Sequence, residues 1–361
     1  MLSRSYVFAR HQLRSDVAAI VLDALLVAMR IKVPKLILML GFVAVICFTS
    51  TSWAQPGAMD YRRSGDDHFY NLDYDQAIAD YTKLINQNPA DPISYNDLAS
   101  AQLYREVYRL GLLDSTAVMH DGRLLRDPYP QADPKAKQQV LETLERGRRS
   151  AESILAYEPH NTLALYSLCT NFGLLATYGF FLEKAWSSAL RNGSRAQGYC
   201  DQAREVSPGF VDAYLVLGAY QYTVASLPLP ARMLSALGGL HGSKKKGFEF
   251  VSRVAHEGQY DRTAARVLLT VLYRREKRPM EAVRVLEGLM ADYPRNYIYP
   301  LELASAYSDA GQTERSLNVL KGVLERADQN AAGYRLLPRD AVQHRMQILE
   351  ARLSGRHNPG S

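Results

Sequence analysis

Three stretches of this chain carry a small residue, a larger one and a proline at the same intervals. They are Ala77, Tyr81, Leu84, Pro89; Ala196, Cys200, Ala203, Pro208; and Ala282, Leu286, Leu289, Pro294. The offsets from the first residue are 4, 7 and 12 each time. Offsets of 4 and 7 put three side chains on one helix face. The proline then ends the helix, because it lacks an N–H and turns its predecessor away from helical geometry. A face repeated in this way needs a neighbour to cover it, so the chain is constrained to stacked helix pairs.

Unit by unit, a first helix carries an aromatic residue with Leu and a small residue three and four later. The units begin with Tyr61 and Gly65, then Tyr95, Leu98 and Ala99. They continue with Leu165, Leu168 and Cys169, then Tyr214, Leu217 and Gly218, and end with Leu303, Ala304 and Tyr307. Gly65, Ala77, Gly218 and Ala304 mark close helix crossings, with large neighbours filling the gaps. The second unit's partner helix is expected at 135–157, and Gly247, Val251 and Val254 supply another second-helix face. Arg266 and Thr270 depart from the pattern, standing where an aromatic or Leu and an Ala or Gly are usual. The polar segment 339–353 reads as a terminal capping helix.

The period of about 34 residues resembles the tetratricopeptide repeat (TPR) family, from about Ala58 to Ala327. The resemblance implies an all-α fold, a right-handed superhelix of antiparallel helix pairs with a C-terminal capping helix. The solenoid spans 55–330 with insertions near 109–134 and 226–243, and 331–361 supplies the capping helix and a disordered tail. Breakers such as Gly111, Pro128 and Pro130 mark the first insertion, and SLPLP and GG elements mark the second. The stretch 220–278 also resembles TPR-39-type and uncharacterised bacterial exported TPR proteins, a resemblance that brings no activity.

The leader reads separately. Lys32 and Lys35 precede an apolar run from Leu36 to Phe48, and Ser52 and Ala54 stand at −3 and −1 of a cut before Gln55. That is a secretory signal peptide over 29–54, with translation starting at Met29 and 1–28 an extension of the gene model. An uncleaved anchor helix is the rival reading, but the run is short against the roughly 20 apolar residues a span needs. The expected location is therefore periplasmic or secreted. Without 1–54, Lys+Arg fall from 43 to 37 and Asp+Glu from 37 to 35, so the net charge drops from +6 to +2. The basic balance thus gives no case for a nucleic-acid partner.

Catalytic patterns are missing from the sequence. GGLHGSKKK lacks the Gly-Lys-Ser/Thr ending of a phosphate loop, and no HExxH or GxSxG occurs. The expectation is a non-enzymatic protein–protein interaction scaffold with no cofactor and no metal. It would bind a peptide or protein in its concave groove. The alternatives are an enzyme or small-ligand receptor with its site in the two insertions, and a membrane-tethered assembly factor that keeps its signal helix.

In the resembled family, first helices line the concave face. The family spacing carries that face to Arg62, Arg63, Tyr70, Asn96, Tyr104, Tyr166, Tyr222, Arg274 and Arg275 as candidate partner-binding residues. The same spacing also reaches Asp97, Thr170, Asp212, Glu302 and Asp309. Tyr and Arg are favoured interface anchors, while the same tyrosines could also serve packing between helices. Cys169 and Cys200 fall at facing positions of one hairpin, where a disulfide or two buried thiols are both open.

Overall fold

The computed structural model describes residues 60–113, 131–227, 229, 232–233 and 241–356. The leader, residues 114–130 of the first insertion, residues 228, 230–231 and 234–240 of the second, and the tail beyond 356 lie outside the described residues. Met59–Ser361 forms one compact unit.

Among the described residues there are thirteen α-helices and no strand. The first hairpin is α1 (Tyr61–Tyr70) and α2 (Tyr74–Gln87). Next come α3 (Pro92–Arg109) and α4 (Pro134–Tyr157), then α5 (Thr162–Phe181) and α6 (Trp186–Val206). A short 3-10 turn leads into α7 (Tyr214–Ala225), which pairs with α8 (Lys244–Glu257). The remaining pairs are α9 (Arg262–Arg275) with α10 (Pro279–Asp292), and α11 (Ile298–Asp309) with α12 (Thr313–Asp328). The capping helix is α13 (Arg339–Arg356). Each helix packs on the next in sequence, and α3, α5 and α7 also touch successively. Among the described residues this is the all-α array of consecutively packed helix pairs that the spacing implies.

Helix ends follow from the residues at them. Asp91, Asp133 and Asn161 accept a backbone N–H at the starts of α3, α4 and α5, and proline opens α3, α4 and α10, where a missing N–H costs nothing. Small residues sit where helices cross. A Cβ on Gly65 would lie 2.5 Å from the Tyr81 ring, and one on Gly218 would lie 2.9 Å from the Gly247 carbonyl. Ala77, Ala196, Ala282 and Ala304 are fully buried. Arg266 has its own complement: it spans Gly288, whose Cβ would meet Arg266 Nη2 at 2.8 Å, to pair with Asp292 at 2.6 Å.

The turns inside hairpins need a left-handed residue. Gly311 supplies it after α11 (φ 74°), but Leu72 (φ 66°) and Lys277 (φ 57°) do so after α1 and α9. Leu72 is held there by packing on the Tyr297–Leu337 cluster. Lys277 is exposed and has no such tie to a core cluster. Lys277→Gly is therefore expected to raise stability by about 0.5–1 kcal/mol, from the left-handed strain it removes less the entropy glycine adds. Urea unfolding checks this.

Cys169 of α5 and Cys200 of α6 are bonded to each other, with Cα atoms 5.0 Å apart. Both are fully buried beside Leu217. Helix α5 is long and apolar enough to cross a membrane, yet 61% of its apolar window is buried inside the protein, as expected of a core helix.

Candidate functional site

The solenoid bends far enough for its first hairpin to meet its fifth and sixth. At the end of α1, Asn71 Oδ1 accepts the Arg295 backbone N–H at 3.0 Å, and Asn296 Nδ2 donates to the Tyr70 carbonyl at 2.7 Å. The Arg295 guanidinium reaches Asp73 and Asp67, both at 3.0 Å. Tyr70 packs on Tyr293 at 5.2 Å between ring centres, and Tyr108 on Tyr297 at 6.2 Å. A repeat pattern encodes contacts between neighbours, so nothing in the spacing announces the Asn71–Arg295 contact, 224 residues apart.

Inside this closure the inner-face residues meet one another. Arg62 of α1 donates to Asp97 at 2.6 Å, Asp91 at 2.9 Å and Ser94 at 3.2 Å, and lies 5.7 Å over the Tyr260 ring. Tyr81 donates to Asp66 at 2.6 Å. Tyr166 donates to Asp261 at 2.7 Å and packs between Phe210 and Tyr260. Asp212 holds the turn beneath, accepting the backbone N–H groups of Gln259, Tyr260 and Asp261 at 2.8–3.0 Å. A cleft of about 380 Å³ remains at the seam, lined by Asp66, Tyr70, Tyr260, Arg262, Thr263 and Tyr293.

The electrostatics follow from crowding carboxylates out of water around one guanidinium. Burial pushes Asp97 up to about 8 against the pull of Arg62, and Asp66, Asp91 and Asp261 add to the rise. Burial pushes Asp261 up to about 7; the Tyr166 hydrogen bond opposes this, and Asp212 and Asp66 reinforce it. Asp66 is also raised, chiefly by burial. Burial raises the Tyr70, Tyr104 and Tyr166 hydroxyls as well, which keeps them neutral donors.

These raised carboxylates fix a sign. Between about pH 4 and 8 the folded chain keeps protons that the unfolded chain has released, so folded stability falls as pH rises through that window. Asp80, Glu106, Glu183 and Glu276 are lowered instead, and their contribution is lost only on acidification below the ordinary carboxylate range. The melting temperature is therefore expected to be higher at about pH 5 than at about pH 8. A calorimetric pH series measures it, and a flat or rising profile would contradict the buried acidic centre.

The family-derived positions separate into two groups. Asn96 is buried and donates to the Ser167 carbonyl at 2.8 Å while accepting from Asn171 at 2.9 Å. Tyr166 is buried between Phe210 and Tyr260. Tyr222 is buried, and its hydroxyl donates to Glu276 at 2.7 Å, which also accepts from Lys244 at 2.9 Å. The Arg274 side chain is 1% exposed, between Glu302 at 2.6 Å and Asp309 at 2.7 Å. These four tie helices together, because the same spacing that faces the groove also faces the next first helix. Arg62 and Tyr70 are half-buried at the seam, and Tyr104 is half-buried with its ring edge on Phe69 at 5.7 Å. Arg63 is exposed, and Arg275 is exposed over the Tyr222 ring. Sequence reasoning did not single out Asp66, Tyr260 or Asp261. The signal that could have found the two carboxylates is an acidic residue inside one first helix, α1, and another just before a second, α9.

Ser64 and His68 both reach Asp80 Oδ2, at 2.6 and 3.0 Å. They share this acceptor to fasten α1 to α2, an arrangement that does not activate the serine. Among the described residues no group of three His, Cys, Asp or Glu is placed to hold a metal ion.

No family model matches the chain. Human serine/threonine-protein phosphatase 5 is 29% identical over 105 residues, which are 29% of this chain and 20% of that protein. The chain thus spans about a fifth of the length of that curated relative. Among solved structures, a thermophilic TPR protein of Thermus thermophilus, TTC0263, is 17% identical with a TM-score of 0.36, over 68% of this chain and 96% of that one. Yeast Tom70 is 12% identical with a TM-score of 0.26, over 83% of this chain and 90% of that one.

Proposed function

We propose that this chain is a non-enzymatic protein-interaction scaffold, exported to a periplasm or beyond, whose inner face receives a peptide or protein segment. The observation that supports it is the convergence of Asp66 and Tyr70 of α1, Tyr260 of the 258–261 turn and Tyr293 before α11 on one cleft. Aromatic rings that are rigid and polar at one end anchor protein partners at little entropic cost. Of the positions offered from sequence, Tyr70 lines this cleft and Arg62 lies over its Tyr260 ring, and both are half-buried. Arg63 and Arg275 are exposed on their own first helices. The buried Cys169–Cys200 bond fits an oxidising compartment.

The test places a photo-crosslinking residue at Tyr260, which is half-buried at the cleft. Irradiation in the producing cell is expected to give one discrete adduct, abolished by Tyr70→Ala. An adduct pattern identical to that of a probe at exposed Glu205 would count against the inner face. N-terminal sequencing of the exported form is expected to begin at Gln55, and a start upstream of Leu36 would favour the membrane-tethered reading.

A further inference from the structure

We propose that the α1–α2 hairpin is a releasable clasp: closed, it occludes the inner face, and open, it admits the partner. This rests on the inner face being the partner-binding surface.

The seam differs from the interfaces between consecutive helices. Those are joined by buried apolar clusters. The seam instead joins the tip of one hairpin to the 293–297 turn through Arg295 on Asp67 and Asp73, through Asn71 and Asn296, and through tilted tyrosine pairs, with Arg62 over the Tyr260 ring farther along α1. Its ion pairs reach solvent, with the Arg295 side chain 33% exposed and Asp67 51% exposed. Pairs of that kind hold weakly and are screened by salt. Leu72 and Tyr108 add partly buried apolar contact to the Tyr297 cluster, which guides the clasp home.

Two further features favour opening. Asp66 lines the cleft on the hairpin side and Asp261 sits between the lining residues Tyr260 and Arg262 on the opposite side, so ionisation of both acids loads the seam with like charge. The hairpin also keeps its own core when released: Ala77, Tyr81 and Ile85 pack with Tyr95, Leu98 and Ala101 of α3, with Phe69 alongside. Opening therefore needs only small rotations accumulated over successive helix pairs, the deformation that solenoids allow most readily. No helix has to melt.

The experiment measures a distance between nitroxides at Lys83→Cys on α2 and Lys321→Cys on α12, both exposed positions. Of the three native cysteines, Cys169 and Cys200 are bonded and buried and do not label, and Cys47 is replaced by serine in every labelled chain. One short distance with a minor longer one is expected in the otherwise native chain. Arg295→Ala should raise the longer population roughly fivefold, the loss of two partly exposed ion pairs. Arg335→Ala, an exposed arginine outside those pairs, should leave it unchanged. Circular dichroism should stay constant throughout.

A single distance in Arg295→Ala up to the onset of unfolding would overturn the clasp. So would a longer distance that appears only as helical signal is lost. A concentration-dependent dimer that restores the short distance between copies would overturn closure within one chain. Capture at Tyr260 separates the two readings. An open Arg295→Ala that captures no more than the native chain removes the inner-face reading and leaves a mobile hairpin. A closed chain that still captures removes the clasp alone.

Discussion

Arg274→Met is expected to destabilise the fold by about 3–5 kcal/mol, the range for breaking a buried ion pair from one side. The guanidinium comes from α9 and binds Glu302 and Asp309 of α11, so it joins successive first helices across the inner face. Removing it leaves the Glu302 carboxylate, only 8% exposed, with its main counter-charge gone. Asp309 is 26% exposed and can turn to water. The double variant Arg274→Met, Glu302→Leu should recover much of the loss, because a buried pair replaced by apolar groups of similar volume is often neutral or better. Urea unfolding of the single and double variants decides it. A single variant within about 1 kcal/mol of the native chain would mean that the pair is far wetter than its burial indicates.

Replacing Cys169 and Cys200 by alanine is expected to cost about 3–4 kcal/mol. The bond closes a loop whose ends are 31 residues apart, and that constraint on the unfolded chain sets the magnitude. Alanine avoids placing a hydroxyl in a fully buried site. Reductant should lower the melting temperature of the native chain toward that of the variant and leave the variant unmoved. A native chain indifferent to reductant after full unfolding and refolding would show that the bond contributes little.

What the sequence revealed and what it hid have one physical origin. The small residues at Gly65, Ala77, Gly218 and Ala304 betray crossings because two backbones can approach only there. The left-handed turn after α1 carries no glycine, and Leu72 takes that conformation instead. The capping helix was legible from its polar face and its apolar Val342 and Leu349, both buried against α12 and its neighbours. The inner-face positions were legible as positions but not as roles. Asn96, Tyr166, Tyr222 and Arg274 bond within the protein, because a curved solenoid brings first helices close enough to share polar groups. The closure itself was illegible. Asp67, Asn71, Asp73, Arg295 and Asn296 are residue types that populate any exposed turn.

The meeting of Asn71 with Arg295 bears on how the chain is made. At about 5–20 residues per second of synthesis, the hairpin waits roughly 10–45 s for its distant partner to emerge. During that interval its tyrosines and carboxylates face solvent with nothing opposite them. The nascent chain must therefore tolerate an uncovered inner face before it has ever had the means to hide one.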